Sequence, residues 1–530
     1  MKLNEHRMSD RSELPPGSTI GIIGAGIAGL CTAKVLRQFG FDVTVIEKEV
    51  EVGGVWSASR RYPGLTTQNP RSTYEFSDFP MPRHYPEWPR GEQVQAYLES
   101  YAKHFGILDR IILNVEVRQA TLDTAENRWT VSFGSSETAG EGLRELTFDY
   151  LIVCNGIFSE PFIPRFVGSQ RFCDAGGRIC HTSQFTRLED ARGKNVVVIG
   201  YGKSSCDVAN ATVGVSRHTC LVARNLIWKI PKRLKNVLNF KYLFLTRMGE
   251  GLFPYIRLKG FEKFLHGAGL PIRNFMLRQV ESVVARQLML RKLQLHPEKP
   301  LETIARSTVS LVTDGFYENI RAGRLTLERA EIVELDAGCA KLSNGHTIPA
   351  EIVICGTGWK QELPFFDGSV LNRLTDERGN FRLYRSMIPI GVPRLAFNGY
   401  NSSFFSQLNA EIGALWIAGH LLRAFDLPSA EQMQKAVDER LVWMEQRTEG
   451  KHSKGTNIIP FSVHHMDELL SDLALSLNVF KRFRQWLIPV SGADYREVTV
   501  RLLRRQGIDL ARSSAVGAEN RGKESESCRI

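Results

Sequence analysis

The feature that most constrains this chain is a short apolar run that stops at glycine. Thr19 to Ile23 (TIGII) has the unbroken apolar character of a strand covered on both faces. It is followed at once by Gly24-Ala25-Gly26-Ile27-Ala28-Gly29, then by apolar residues at helical spacing to about Phe39. In a strand–loop–helix of this kind the first glycine permits the tight turn, the second lets backbone N–H groups approach a pyrophosphate, and the third lets helix and strand pack closely. The start of the helix adds its partial positive charge to that phosphate site. A second strand, Asp42 to Ile46, ends at Glu47, 23 residues beyond Gly24. A carboxylate there accepts hydrogen bonds from ribose hydroxyls and disfavours a 2′-phosphate. Gly24 to Gly29 with Glu47 therefore reads as a dinucleotide site for a free ribose.

The same grammar recurs. Asn195 to Ile199 is a strand, Gly200-Tyr201-Gly202-Lys203-Ser204-Ser205 follows, and Thr219 to Ala223 is expected as the next strand, ending at Arg224. Ser205 replaces the third glycine, and Arg224 stands where the first unit has its acid. Lys203 and Arg224 form the charge pattern for the 2′-phosphate of NADP, because a guanidinium grips phosphate oxygens in pairs. Two nucleotides are implied, and FAD with NADPH is the natural pair. DYLIVCNG (149–156) and AEIVICGTGW (350–359) read as the central parallel strands that close the two units. The expected fold is α/β, with two Rossmann-like dinucleotide-binding domains and a helical insertion in the second. We divide it as a polar extension (1–17), an FAD-binding domain (18–165 and 346–510), an NADP-binding domain (166–345) with a basic helical insertion at about 225–324, and a disordered tail (511–530).

Composition excludes several other classes. No apolar run is long enough to span a bilayer, and the polar start lacks the hydrophobic core of a secretory signal. The nine cysteines are odd in number and lie singly, so neither a disulfide scaffold nor a zinc ribbon is expected. Cys31, Cys154, Cys206 and Cys355 fall in helices or buried strands and read as packing residues. No metal site is expected: His464 and His465 are adjacent and cannot share a helix face. The net charge of +11 is local, since Arg224 to Lys292 alone holds 15 basic and 3 acidic residues. That segment interleaves Phe and Tyr with Lys and Arg.

With these residues in place the chain resembles the flavin-containing monooxygenases and the related Baeyer–Villiger monooxygenases. The likeness runs from about Ser18 to Gln506. It rests on the first loop with Glu47, Gly53-Gly54-Val55-Trp56, the segment Tyr62 to Pro82, the second loop, and Gly356-Thr357-Gly358-Trp359. Of the signature between the two nucleotide domains, Gly177, His181 and Phe185 match the flavin-containing branch, while Ala175 stands at its leading Phe position. The Tyr62-Pro63-Gly64 triplet looks like the Baeyer–Villiger branch. The resemblance implies FAD contacts from Val55, Trp56 and the backbone of Val117, and nucleotide contacts from Thr357 and Gly358. It places the amide that touches the reacting flavin at Gln68, with Asn69 beside it.

The activity implied by the resemblance is insertion of one oxygen atom from O₂ into a lipophilic organic substrate. NADPH reduces FAD, and a flavin C4a-(hydro)peroxide gives N- or S-oxygenation or hydroxylation. Baeyer–Villiger oxidation of a ketone is the alternative, and an NADPH oxidase or flavin reductase the second. The expected partners are that small molecule and O₂, with no specific nucleic acid. The expected location is cytoplasmic. The basic segment is read as a helical cover over the active site, or as a peripheral contact with an anionic membrane or an acidic carrier.

Overall fold

The computed structural model describes residues 14–136, 142–305 and 310–508. The expected tail at 511–530 and most of the N-terminal extension fall outside them. Two five-stranded parallel sheets form the frame. Their strands are β1 (Thr19–Ile23), β2 (Asp42–Ile46), β3 (Ile111–Ile112), β4 (Tyr150–Val153), β5 (Arg178–His181), β6 (Asn195–Ile199), β7 (His218–Val222), β8 (Leu325–Glu328), β9 (Ile352–Cys355) and β10 (Leu395–Phe397). The first sheet runs β3-β2-β1-β4-β10 and the second β8-β7-β6-β9-β5. Both loops open from the middle strand of their sheet, and in both the closing strand lies beside it (β4 beside β1, β9 beside β6).

Two details differ from expectation. β7 lies one residue earlier than Thr219 to Ala223, with Ala223 adding a backbone bond to Glu328 beyond the strand. β9 is paired on both sides within the second sheet, and the strand Thr347–Pro349 before it belongs to a small antiparallel sheet packed there. The return of the chain to the first sheet therefore comes after Cys355, not at 346.

A parallel sheet needs both faces covered, and alternation along the strands supplies them. Ile20, Ile22, Val43, Val45 and Ile152 point into one core, while Ile23, Ile46, Leu151 and Val153 point into another. The main helices are α1 (Ile27–Gln38), α2 (Lys203–Thr212), α3 (Phe261–Leu265), α4 (Leu270–Gln287), α5 (Ser406–Leu421), α6 (Ala430–Thr448), α7 (Ser462–Asp472) and α8 (Val479–Leu487). α5 is buried almost throughout and packs along α1. Its one acid, Glu411, accepts bonds from the Ser77 backbone (2.9 Å) and hydroxyl (2.8 Å) and lies 3.9 Å from the ammonium of buried Lys34 on α1. A buried carboxylate with several donors and a nearby cation keeps most of its solvation replaced.

The basic insertion is helical, and it docks onto the C-terminal helices. Arg247 forks onto Asp467 of α7 at 2.5 and 2.9 Å, and Tyr255 donates to Glu468 at 2.7 Å. Glu250 accepts from the Val463 N–H at 2.7 Å and contacts His464, whose other ring nitrogen meets Glu262 at 2.7 Å. Among the described residues no helix is long and apolar enough to cross a membrane.

Candidate functional site

At the first loop, Gly24 has φ +105, and a Cβ there would stand 2.6 Å from the Cys154 carbonyl oxygen; one on Gly29 would meet the Gly24 carbonyl at 1.8 Å. The first and third glycines are therefore demanded by the protein's own packing. Gly26 is different: its nearest neighbour is the Gly54 Cα at 3.6 Å, ordinary contact. α1 begins with no side-chain cap and no acid in its first turn, which leaves its leading N–H groups to an anion.

Glu47 is 6% exposed, and both of its carboxylate oxygens already accept bonds, from the Ala25 N–H at 2.6 Å and the Glu49 N–H at 2.9 Å. Burial pushes its carboxyl above the usual range, and those two backbone donors pull it back. It thus braces the glycine loop, a role its spacing from Gly24 did not announce. Each oxygen keeps a further lone pair for a hydroxyl. Gly53 donates to the Ala25 carbonyl at 3.1 Å, which sets the turn carrying Val55 and Trp56 against the loop. Val117 lies two residues past Val115, whose N–H bonds the Glu47 carbonyl at 3.0 Å, so it flanks the same end of the sheet.

The second loop repeats the geometry with one exchange. Gly200 has φ +107 and its Cβ would stand 2.6 Å from the Gly356 carbonyl, as Gly24 does from Cys154. Where the first unit has Gly29 on the helix and Cys154 after the strand, the second has Ser205 and Gly356. The Ser205 hydroxyl bonds the carbonyls of Ile199 (3.2 Å) and Gly356 (3.3 Å), and a Cβ on Gly356 would sit 2.0 Å from that oxygen. The small residue has moved across the contact. A Cβ on Gly202 would meet nothing within 4 Å, so protein packing gives no reason for glycine there. α2, like α1, starts without a side-chain cap or an acid in its first turn, and Ser204 lies half-buried within that turn.

The pair expected to grip the 2′-phosphate is not assembled as the sequence suggested. Arg224 is exposed, with only a 3.2 Å contact to exposed Glu331. Lys203 is turned inward onto Asp207, its partner one helical turn on. Asp207 also accepts from Thr313 and, at 3.3 Å, from the Tyr62 hydroxyl. The i,i+4 spacing of Lys203 and Asp207 was the signal for this tie. Behind it, buried Lys229 donates to the Ser310 hydroxyl at 3.0 Å and lies over the Tyr201 ring, with its ammonium pushed down by burial.

Gln68 and Asn69, adjacent in sequence, reach in different directions. The Gln68 carbonyl accepts from the Leu311 N–H at 3.0 Å, which leaves its NH₂ to donate. Asn69 is buried and gives its amide to the Phe404 carbonyl at 2.6 Å. The loop that carries both is thereby fixed on two sides. Thr357 donates to the Phe162 carbonyl, and Phe162 donates to Gly358 at 3.0 Å. Trp359 pairs antiparallel with Pro161 and packs edge-on against the His181 ring, 4.6 Å between centroids. Burial, with the Arg60 charge nearby, lowers His181 to about 4. Thr357 and Gly358 thus lie where the chain crosses between the two units.

Two glycine loops facing uncapped helix starts, one with an acid at its second strand and one with an arginine, make a site for two different dinucleotides. Comparison with known proteins agrees with that geometry. The family model "Flavin-binding monooxygenase-like" matches residues 17–484. "Probable flavin-containing monooxygenase 1" of Arabidopsis thaliana is 28% identical over 494 residues, 87% of this chain and 92% of that protein. Among solved structures, S-allyl-L-cysteine S-oxygenase from Allium sativum superposes with a TM-score of 0.61 at 20% identity, covering 96% of this chain and 99% of that one. A steroid monooxygenase bound to NADP gives 0.64 at 18% identity, covering 87% and 98%. The chain belongs to the flavin-binding monooxygenase-like family, and is an FAD- and NADPH-dependent monooxygenase.

Proposed function

We propose that this chain transfers one oxygen atom from O₂ to a nucleophilic nitrogen or sulfur, or to an activated carbon, of a lipophilic small molecule. The observation that carries the reading is the pair of similarly wound loops with opposite charge at their second strands. The first unit holds FAD. The loop from Gly24 to Gly29 faces the pyrophosphate with the amides of Gly26 to Gly29, the Ala25 N–H being held by Glu47. Glu47 accepts the ribose hydroxyls with its remaining lone pairs, and Val55, Trp56 and Val117 line the remainder. The second holds NADPH through Gly200, Gly202, Ser204 and Ser205, with Arg224 for the 2′-phosphate and Thr357 and Gly358 at the crossing. Bound flavin supplies the redox chemistry. The chain's part is to bring the nicotinamide and flavin together, exclude water, and offer a hydrogen bond at the flavin's reacting edge. Of the two adjacent amides, Gln68 has the free donor, while Asn69 is spent on Phe404 and holds the loop in place.

Heteroatom oxygenation or hydroxylation is favoured over ketone insertion by Phe185, fully buried at the end of the signature. Contact with an anionic surface, membrane or acidic carrier, falls to the basic segment from Arg224 to Lys292. Turnover with amines, sulfides and ketones tests the chemistry. We expect NADPH oxidation to match oxygenated product for an amine or sulfide. For Gln68→Ala, a larger share of NADPH should end as hydrogen peroxide. Stoichiometric peroxide with every substrate would make the protein an NADPH oxidase instead.

A further inference from the structure

Helix α8 is built inside out. Its polar residues other than Arg482 face the protein: Gln485 is buried, accepting from Arg247 at 3.0 Å and donating to Asp494 at 2.8 Å. Arg484 pairs with Asp494, and Lys481 reaches the Asp494 carbonyl at 3.2 Å and Glu497 at 3.0 Å. Its apolar residues face outward. Val479, Phe483 and Leu487 fall on one stripe at helical spacing, with Phe480 beside them; Phe480 is 75% exposed and Phe483 63%. A surface helix of a globular protein is ordinarily arranged the other way.

The stripe continues onto the basic insertion. Trp486 meets the Phe261 ring at 5.8 Å, and Phe261 stacks on Phe264 at 5.5 Å. Phe264 lies over Gly269, where a Cβ would stand 2.7 Å from its ring. Gly269 leads into α4, which exposes Leu270, Ile272, Phe275 and Met276. A contiguous exposed apolar face spanning three helices is uncommon and marks an interaction surface. Lys263 on α3, Arg278 on α4 and Arg482 on α8 are exposed, as is Lys259 just before α3. Of the neighbouring acids, Glu262 is turned onto His464 and Asp494 onto Arg484 and Gln485, while Glu497 is exposed beside Lys481 and Asp467 lies 3.4 Å from Arg482.

We propose that this face is a monotopic membrane-contact site. The apolar side chains of α8, α3 and the start of α4 enter the boundary between headgroups and acyl chains, and the lysines and arginines meet anionic headgroups. Protruding aromatics with a cationic rim are what an interfacial site requires. A second copy of the chain on the same face would set that cationic rim against itself, because a twofold interface is self-complementary. The site rests on the surface contact proposed for the basic segment, and narrows it to one face and one occupant. It is independent of the oxygenation chemistry.

Flotation of the FAD-loaded full chain with phosphatidylcholine vesicles, with and without phosphatidylserine, tests it. The wild type should float with the anionic vesicles and keep a substantial part of that binding at high salt. Phe480→Ser/Phe483→Ser should bind about tenfold or more weakly, since two apolar side chains no longer enter the interface. Its flavin content and NADPH oxidation rate should match the wild type. Binding that survives the double substitution but vanishes with salt would overturn this site and leave a purely electrostatic contact of the basic segment. No flotation of the wild type would overturn both. Concentration-dependent dimerisation in sedimentation, abolished by the same substitutions, would overturn it in favour of a self-interface.

Discussion

Arg224 and Lys203 carry the same formal charge and were read as one clamp, yet they do different work. Arg224 projects into solvent at the end of β7; Lys203 is 10% exposed and bonded to Asp207. Nicotinamide preference should accordingly rest on Arg224. Arg224→Ala should raise the KM for NADPH about tenfold, the low end of a charge-assisted contact because the site is open to water, and leave the KM for NADH nearly unchanged. Steady-state kinetics with both nucleotides reads it, and equal effects on the two would remove Arg224 from the phosphate site. Lys203→Ala should instead cost stability, because Asp207 is buried and would lose its cation. At this scale the sequence made Gly24 and Gly29 legible, since turn and packing follow from spacing, but not the bond by which Glu47 holds the loop at Ala25. It hid the directions taken by Gln68 and Asn69, because their partners, Leu311 and Phe404, are distant in the chain and enter only through the fold.

Between helix and strand, the exchange of Gly29 and Cys154 for Ser205 and Gly356 shows that each unit must keep one small residue at the crossing, on either side. Gly356→Ala should therefore destabilise by about 1–3 kcal/mol through overpacking. Ser205→Gly added to it should restore much of the loss, because the 2.0 Å clash is with the Ser205 hydroxyl; the Ile199 carbonyl, 3.0 Å from the new Cβ, keeps the rescue partial. A double-mutant cycle on thermal or denaturant unfolding measures the coupling. Additive losses would show that the two positions do not share this space. Strands and loop helices were readable because buried parallel strands are short, apolar and bounded by glycine. The end of the second unit is less sharp: a boundary at 346 cuts ahead of Ile352–Cys355, although that apolar run into glycine is the strand that closes the unit. Nor does the pattern of α8 tell which of its two faces is covered.

For the molecule as a whole, pH acts on it from both sides. His181 and His420 are held near 4, and His465 near 3, chiefly by burial. They are neutral when folded, so their stability is fully present above about pH 6.5, the unfolded value, and is lost as pH falls towards 4. His464 is the opposite case. Burial opposes its charge, but hydrogen bonds to Glu250 and Glu262 outweigh this and raise it to about 10. Its contribution is present below about pH 6.5 and is lost as pH rises through 10. Unfolding followed from pH 4 to 10.5 should show a maximum at about pH 6.5, with a loss on either side. His464→Gln should remove part of the alkaline limb and leave the acid limb unchanged. An unaltered alkaline limb would show that the imidazolium does not fasten the insertion to α7.

The two passages between the sheets also decide how the halves can move. Trp359 and Lys360 lie antiparallel to Pro161 and Glu160, so the outgoing and returning segments form a single ribbon. Two separate tethers would let the halves slide or twist independently. A bonded ribbon acts as a hinge pin, and any rotation carries both segments together. The loop from Tyr62 to Asn69 also joins the halves, tied by Tyr62 to Asp207 and by Gln68 to Leu311. Any opening has to break those two bonds, so the stretch of chain that joins the halves there is also the one that carries the amide proposed to face the flavin.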